Sequence, residues 1–148
     1  MVKALKGAVV GLDTAPLIYF IEENPLYLPL VRPFFEAVDR GDFQVITSVL
    51  TLTEVLVHPL RQGNRRLADQ YRQTLLHARQ VKTWPISDTI AEEAAELRGK
   101  HGLRTPDALQ LATAIHFGAT SFLTNDTRLP TILNLRILVL NQLRTAVP

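Results

Sequence analysis

Two apolar patterns alternate along the chain: short unbroken runs, and longer stretches in which apolar residues return every three or four positions. The first pattern marks strands buried on both faces and the second marks amphipathic helices. Residues 8–12 predict the first strand and residues 16–22 a short helix. Leu26/Tyr27, Leu30/Val31, Phe34/Phe35 and Val38 then recur at helical spacing, with Pro25, Pro29 and Pro33 on the other face. This predicts a helix ending at Gly41 and kinked near Pro33. Residues 43–46 read as a second strand, after which Ser48 is placed to cap a helix running through Glu54 to about Leu60. A helix over 65–79 would bury Leu67, Tyr71 and Leu75, and a third strand covers 82–86. Ser87 or Asp88 caps the helix that Gly102 closes, and Thr105 as cap with Pro106 as first residue opens another, ending at Gly118. Residues 120–123 and 136–139 are the fourth and fifth strands, and the tail to Pro148 reads as peripheral. Strands separated by helices in this way predict an α/β fold with a mainly parallel sheet. No repeat, low-complexity tract or linker interrupts the 148 residues, so one domain over 1–148 is expected.

Composition removes several chemistries. There is no cysteine, which excludes disulfides, thiolate zinc sites and thiol nucleophiles and is compatible with a reducing cytoplasm. The four histidines, His58, His77, His101 and His116, show no ligand spacing, so zinc is not expected. Lys3 and Lys6 precede an apolar run that meets Asp13 too soon for a signal peptide or a membrane span, which predicts a soluble cytoplasmic protein with no membrane partner. Net charge is only +2, but a metal site would neutralise up to four of the 14 acids and leave the rest of the surface basic. Between His58 and Trp84 lie Arg61, Arg65, Arg66, Arg72, Arg79 and Lys82 against the single acid Asp69. That stretch fits a polyanion footprint and equally a solvated helix face.

The acids at element ends carry the candidate chemistry. Asp13 follows the first strand and Asp126 the fourth, and either alone would pass for a helix cap. Asp107 falls in a first helical turn, where the dipole favours a negative charge. Glu54 differs, being the only acid in a helix built of Val49, Leu50, Leu52, Val55, Leu56 and Val57, with Thr47, Thr51 and His58 on its stripe. None of the four has an obvious charged partner beside it. Strand ends are where open α/β sheets bind ligands, so four acids gathered there point to a divalent-metal site. Their mutual repulsion would raise pKa values or recruit a cation, and a hard ion such as Mg²⁺ or Mn²⁺ suits oxygen ligands. Relieving that repulsion, for instance by Asp126→Asn, is expected to raise the melting temperature of the metal-free protein. Thr14, Ser48, Thr124 and Asn125 are placed to orient the carboxylates or contact phosphate.

The strings Leu12-Asp13-Thr14, Ser48-x-x-Thr51-x-x-Glu54, Thr105-Pro106-Asp107-Ala108-Leu109-Gln110-Leu111-Ala112-Thr113-Ala114 and Leu123-Thr124-Asn125-Asp126 together resemble the PIN-domain nucleases, most closely the VapC-type toxins of toxin–antitoxin pairs. The resemblance runs over nearly the whole chain. It implies a three-layer α/β/α fold with about five parallel strands, and metal-dependent cleavage of single-stranded RNA leaving a 5′-phosphate. Asp13, Glu54, Asp107 and Asp126 would hold Mg²⁺ or Mn²⁺, and an antitoxin partner and a homodimer are implied. Asp126 is followed by Thr127-Arg128-Leu129, so a fifth carboxylate is not supplied there. Arg61, Arg65 and Arg66 are candidates for contacts to the RNA backbone. An RNA-processing nuclease without an antitoxin, and a catalytically silent module on the same fold, remain as rival readings. Asp13 lacks the Asp-x-Asp of haloacid-dehalogenase phosphatases. No lysine follows Lys100 to serve a phosphorelay receiver, and no Gly-x-Ser-x-Gly elbow or phosphate-binding Gly-rich loop is present.

Overall fold

The computed structural model of the chain describes residues 1–145. Five strands, β1 Val9–Leu12, β2 Gln44–Ser48, β3 Val81–Trp84, β4 Ser121–Thr124 and β5 Arg136–Val139, form one sheet in the order β3-β2-β1-β4-β5. Every pairing is parallel. The helices are α1 Thr14–Ile21, α2 Leu28–Asp39, α3 Val49–Gln62, α4 Arg65–Arg72, α5 Asp88–His101, α6 Thr105–His116 and α7 Leu140–Thr145, preceded by a 3₁₀ turn at Val2–Leu5.

Side chains alternate across a strand, and here both faces are covered. Val10, Leu12, Leu123 and Leu138 point to the face carrying α1–α4 and α7, where they meet Leu17, Phe34, Phe35, Val55 and Tyr71. Phe122 and Ile137 point to the opposite face, against Leu111 and Ala114 of α6 and Ile90 and Ala94 of α5. Gly11 shares that second face, and α6 lies so close that a Cβ there would stand 2.7 Å from both the Ala114 Cβ and the Phe122 ring. Gly11→Ala should therefore force α6 or Phe122 aside and cost about 1–3 kcal/mol. At roughly 2–4 °C per kcal/mol for a domain of this size, thermal melting would read it directly. An unchanged melting temperature would mean that α6 does not rest on Gly11.

The strand order sets the place of the site. From β1 the chain moves outward through β2 to β3, then returns over the opposite face by α5 and α6 to lay β4 on the other side of β1. The connections leave β1 and β4 in opposite directions, which opens a crevice at their C-terminal ends.

Several local expectations are revised. Residues 65–79 do not form one α-helix: α4 passes into a π turn at Gln73–His77, and the Leu75 carbonyl accepts from the Thr83 hydroxyl at 2.6 Å. β3 stops at Trp84 because Pro85 has no N–H to continue the ladder. Leu26 and Tyr27 precede α2, since the Asn24 side chain accepts from both of their backbone N–H groups, and the helix continues through Pro33. Arg104, not Thr105, is the N-cap of α6, because the Thr105 hydroxyl accepts from Arg98 Nη1 at 3.0 Å. The tail does not begin as periphery, since α7 starts with a fully buried Leu140. Its last residues, 146–148, lie outside the described residues. Among the described residues no helix is long and apolar enough to cross a membrane.

Candidate active site

Four different elements deliver the four acids to the crevice. Asp13 is the N-cap of α1, directly after β1, and Asp126 lies two residues beyond β4. Glu54 projects from the second turn of α3, whose start is fixed by Ser48 Oγ accepting from the Leu50 N–H at 3.2 Å. Asp107 sits in the first turn of α6. Together with Thr14, Leu50, Arg104 and Gln110 they line one cleft of about 560 Å³.

Asp13 is the most constrained of the four. Its Oδ1 accepts from the Thr14 N–H at 2.8 Å and its Oδ2 from the Thr124 hydroxyl at 2.7 Å. Burial pushes its carboxyl above the ordinary value; the bonds from Thr124 and Thr14 pull it down, and the charges of Asp107 and Asp126 push it up again. Glu54 is more exposed, and its pKa is also raised, first by burial and then by Asp13 and Asp107, against the Thr14 hydroxyl and Arg104. The acids therefore stand close enough to repel one another.

Two of them nevertheless have cationic partners, contrary to the expectation that none would. Arg104 Nε reaches Asp107 Oδ2 at 3.1 Å. Arg128 grips Asp126 side-on, with Nε at 3.0 Å from Oδ1 and Nη2 at 3.2 Å from Oδ2, and its backbone N–H adds a third bond at 2.9 Å. Those bonds hold the Asp126 carboxyl below its ordinary pKa. Among the described residues no three acid or histidine side chains are arranged to enclose an ion. The donor chemistry still fits a hard divalent cation: four carboxylates from four elements, two of them raised in pKa by burial and then by neighbouring acids.

Beneath the acids runs a buried polar network. Thr14 Oγ1 lies 3.3 Å from Thr51 Oγ1, which also accepts from Gln110 Nε2. The Thr47 hydroxyl lies 2.9 Å from Thr51 Oγ1 and 3.1 Å from the carbonyl of Leu12, the residue before Asp13. Ser48 Oγ donates to Gln110 Oε1 at 3.0 Å and is fully buried, so it braces α3 against α6 and does not face the cleft. Asn125 also turns away from the acids: its Nδ2 donates to Tyr19 Oη at 3.2 Å, and its Oδ1 accepts from the Asn141 N–H at 3.0 Å. Thr124 does touch a carboxylate, and the same hydroxyl accepts from the Asp126 N–H at 3.0 Å.

Sequence reasoning passed over Gln110 as a site residue, although a long polar side chain amid Ala108, Leu111 and Ala112 carries the same signal that singled out Glu54. Arg104 and Arg128 were passed over too, despite standing three and two residues from their acids. Arg61, Arg65 and Arg66 are exposed on either side of the Gly63 turn, and none lines the cleft. Arg61 lies two helical turns beyond Glu54, about 10 Å along α3.

A family model of the PIN domain matches residues 10–132. No curated protein matches the chain by sequence. Among solved structures, the DNA-bound VapBC of Salmonella typhimurium superposes with a TM-score of 0.67 at 16% identity, covering 90% of this chain and 98% of its own. VapBC2 from Rickettsia felis, bound to a DNA fragment from its promoter, gives 0.66 at 18% identity, over 88% and 98%. VapC20 of Mycobacterium tuberculosis, a toxin that cleaves the sarcin–ricin loop, gives 0.63 at 16% identity, over 78% and 87%.

Proposed function

The chain belongs to the PIN domain family, and from that premise we propose that it is a divalent-metal-dependent endoribonuclease, the VapC-type toxin of a toxin–antitoxin pair. It would act in the cytoplasm as one PIN domain over residues 1–148, leave a 5′-phosphate on the product, pair with a cognate antitoxin and form a homodimer. One observation carries this reading: four carboxylates from four separate elements line a single cleft at the switch point of the sheet. The structural likeness to VapBC complexes supports the antitoxin partner, and the likeness to a toxin that cleaves an RNA loop supports RNA as substrate.

Asp13, Glu54, Asp107 and Asp126 would hold Mg²⁺ or Mn²⁺. When bound, such an ion supplies a water acidic enough to attack phosphorus at neutral pH and a charge that stabilises the phosphoryl oxygens. Thr124 and the Thr14 N–H fix both oxygens of Asp13, so that ligand does not have to be ordered when the substrate arrives. The Gln110–Thr51–Thr14 chain of hydrogen bonds holds Thr14 between Asp13 and Glu54. Ser48 and Asn125 act one step further back, by holding α3 on α6 and β4 on α7.

Expression of the protein alone should arrest growth, the Asp13→Asn form should not, and co-expression with an adjacent upstream reading frame should restore growth and yield a co-purifying complex. In vitro, single-stranded RNA should be cut with Mn²⁺ and spared with chelator. Harmless expression of a protein active in vitro would favour a processing nuclease. A folded protein inert on single-stranded and structured RNA with either metal would end the nuclease reading.

A further inference from the structure

Among the described residues Arg104 is the only cationic side chain lining the acid cleft, and the cleft continues past it into a smaller basin of about 190 Å³. That basin is lined by Arg104, Asp107 and Asp126 again, together with Arg128. Both arginines thus line this basin, and each is paired with an acid that also lines the larger cleft. The arginine side chains are 66% exposed for Arg104 and 74% for Arg128, while each carboxylate side chain is 17% exposed. Neither guanidinium is packed into the protein, so each can swing off its acid into solvent. Among the described residues Arg104 uses only its Nε, which leaves both Nη groups without a hydrogen-bond partner. Its side chain caps nothing, although it is the N-cap residue of α6.

Four carboxylates against two guanidiniums leave the trough with a net charge of −2, which repels a polyanion until a divalent ion enters. Entry of the ion competes directly with the arginines for Asp107 and Asp126. We propose that Arg104 and Arg128 are the phosphate clamp of this cleft: they stand on Asp107 and Asp126 while the metal is absent, and turn to the phosphates of the RNA strand once the ion has taken those acids. A guanidinium is well shaped for this, since its fork of N–H donors suits carboxylate and phosphate alike. Metal and RNA should then bind with positive coupling, each tightening the other by the same factor. The inference rests on the nuclease reading and assigns the substrate-side cations of that same site.

The test uses the full chain carrying Arg104→Gln or Arg128→Gln, with the Lys replacements as controls for charge. Mn²⁺ affinity is measured by calorimetry without RNA. Affinity for a labelled single-stranded RNA is measured by anisotropy in Ca²⁺, with intactness checked on a gel. Each Gln variant should bind Mn²⁺ severalfold more tightly, because a competing cation is gone. It should bind RNA severalfold more weakly, with the slope of log affinity against log salt smaller by about one. Lysine should restore part of the RNA affinity. A purely structural role would weaken both ligands together, so opposite signs are the discriminating result. If the wild type binds both ligands and the Gln variants match it, or bind Mn²⁺ less tightly, the clamp is overturned while the nuclease reading stands. A wild type that binds Mn²⁺ but cuts no RNA overturns both.

Discussion

Asp13→Asn lowers the rate of RNA cleavage by at least about a hundredfold and leaves the protein folded. Residues that merely orient a metal ligand cost about 10–100-fold when replaced, and a residue that supplies ligand charge should cost more. Asparagine keeps the shape of the side chain and is as good an N-cap as aspartate, so α1 retains its start and the bond from the Thr14 N–H. Its amide can donate to Thr124 Oγ1 where the carboxylate accepted. The charge is lost, and the Thr124 hydroxyl turns its proton away from residue 13. Glu54→Gln, Asp107→Asn and Asp126→Asn follow the same logic and should be comparably inactive. The measurement is cleavage of single-stranded and structured RNA by purified variants, with circular dichroism as the folding control. Full activity in two or more folded variants would remove the four-acid site.

In the metal-free protein at neutral pH, Asp13→Asn raises the melting temperature, whereas Asp126→Asn lowers it. The opposite signs come from opposite environments. Burial and neighbouring acids raise the folded-state pKa of Asp13 above its unfolded value. Its contribution to stability is fully present below the unfolded value, near 3.8, and is lost as pH rises through the higher folded value. At pH 7 its charge destabilises the fold, and the gain from asparagine should vanish on acidification below about 3.8. Asp126 is held below its ordinary pKa by Arg128, so its contribution is present above the unfolded value and lost as pH falls through the lower folded one. The sequence expectation that Asp126→Asn would stabilise the metal-free protein is therefore reversed, because Arg128 turns a repelled carboxylate into a paired one.

Mn²⁺ should raise the wild-type melting temperature, since an ion that binds only the native chain adds about 2.7 kcal/mol at a hundredfold excess over its dissociation constant. At about 2–4 °C per kcal/mol this is a rise of roughly 5–11 °C. Asp13→Asn should flatten that rise. Thermal scans of the three proteins in chelator at two pH values, and across a Mn²⁺ titration, read every term. A wild-type curve indifferent to metal would return the four acids to the status of caps and surface pairs.

Local chemistry decided a large part of this protein, and it was legible in the chain. The apolar runs marked all five strands to within a few residues, and Ser48, Ser87 and Gly102 bounded their helices as read, because a hydroxyl capping an N–H and a left-handed glycine act over three or four residues. The order of elements was enough for an α/β fold. Where a distant partner intervened, local reading failed: Thr105 was already bonded to Arg98, the helix after Arg72 widened beside Thr83, and Leu140 found room in the core. The four acids could be picked out one by one, each with a plausible life as a cap. Only the return of the chain to lay β4 against β1 put Asp13 and Asp126 at one crevice and swung Glu54 and Asp107 over it. Arg104 and Arg128 show the same boundary at short range. Their spacing permitted an ion pair, but a long flexible side chain points where the tertiary field is most favourable, and that field belongs to the assembled cleft.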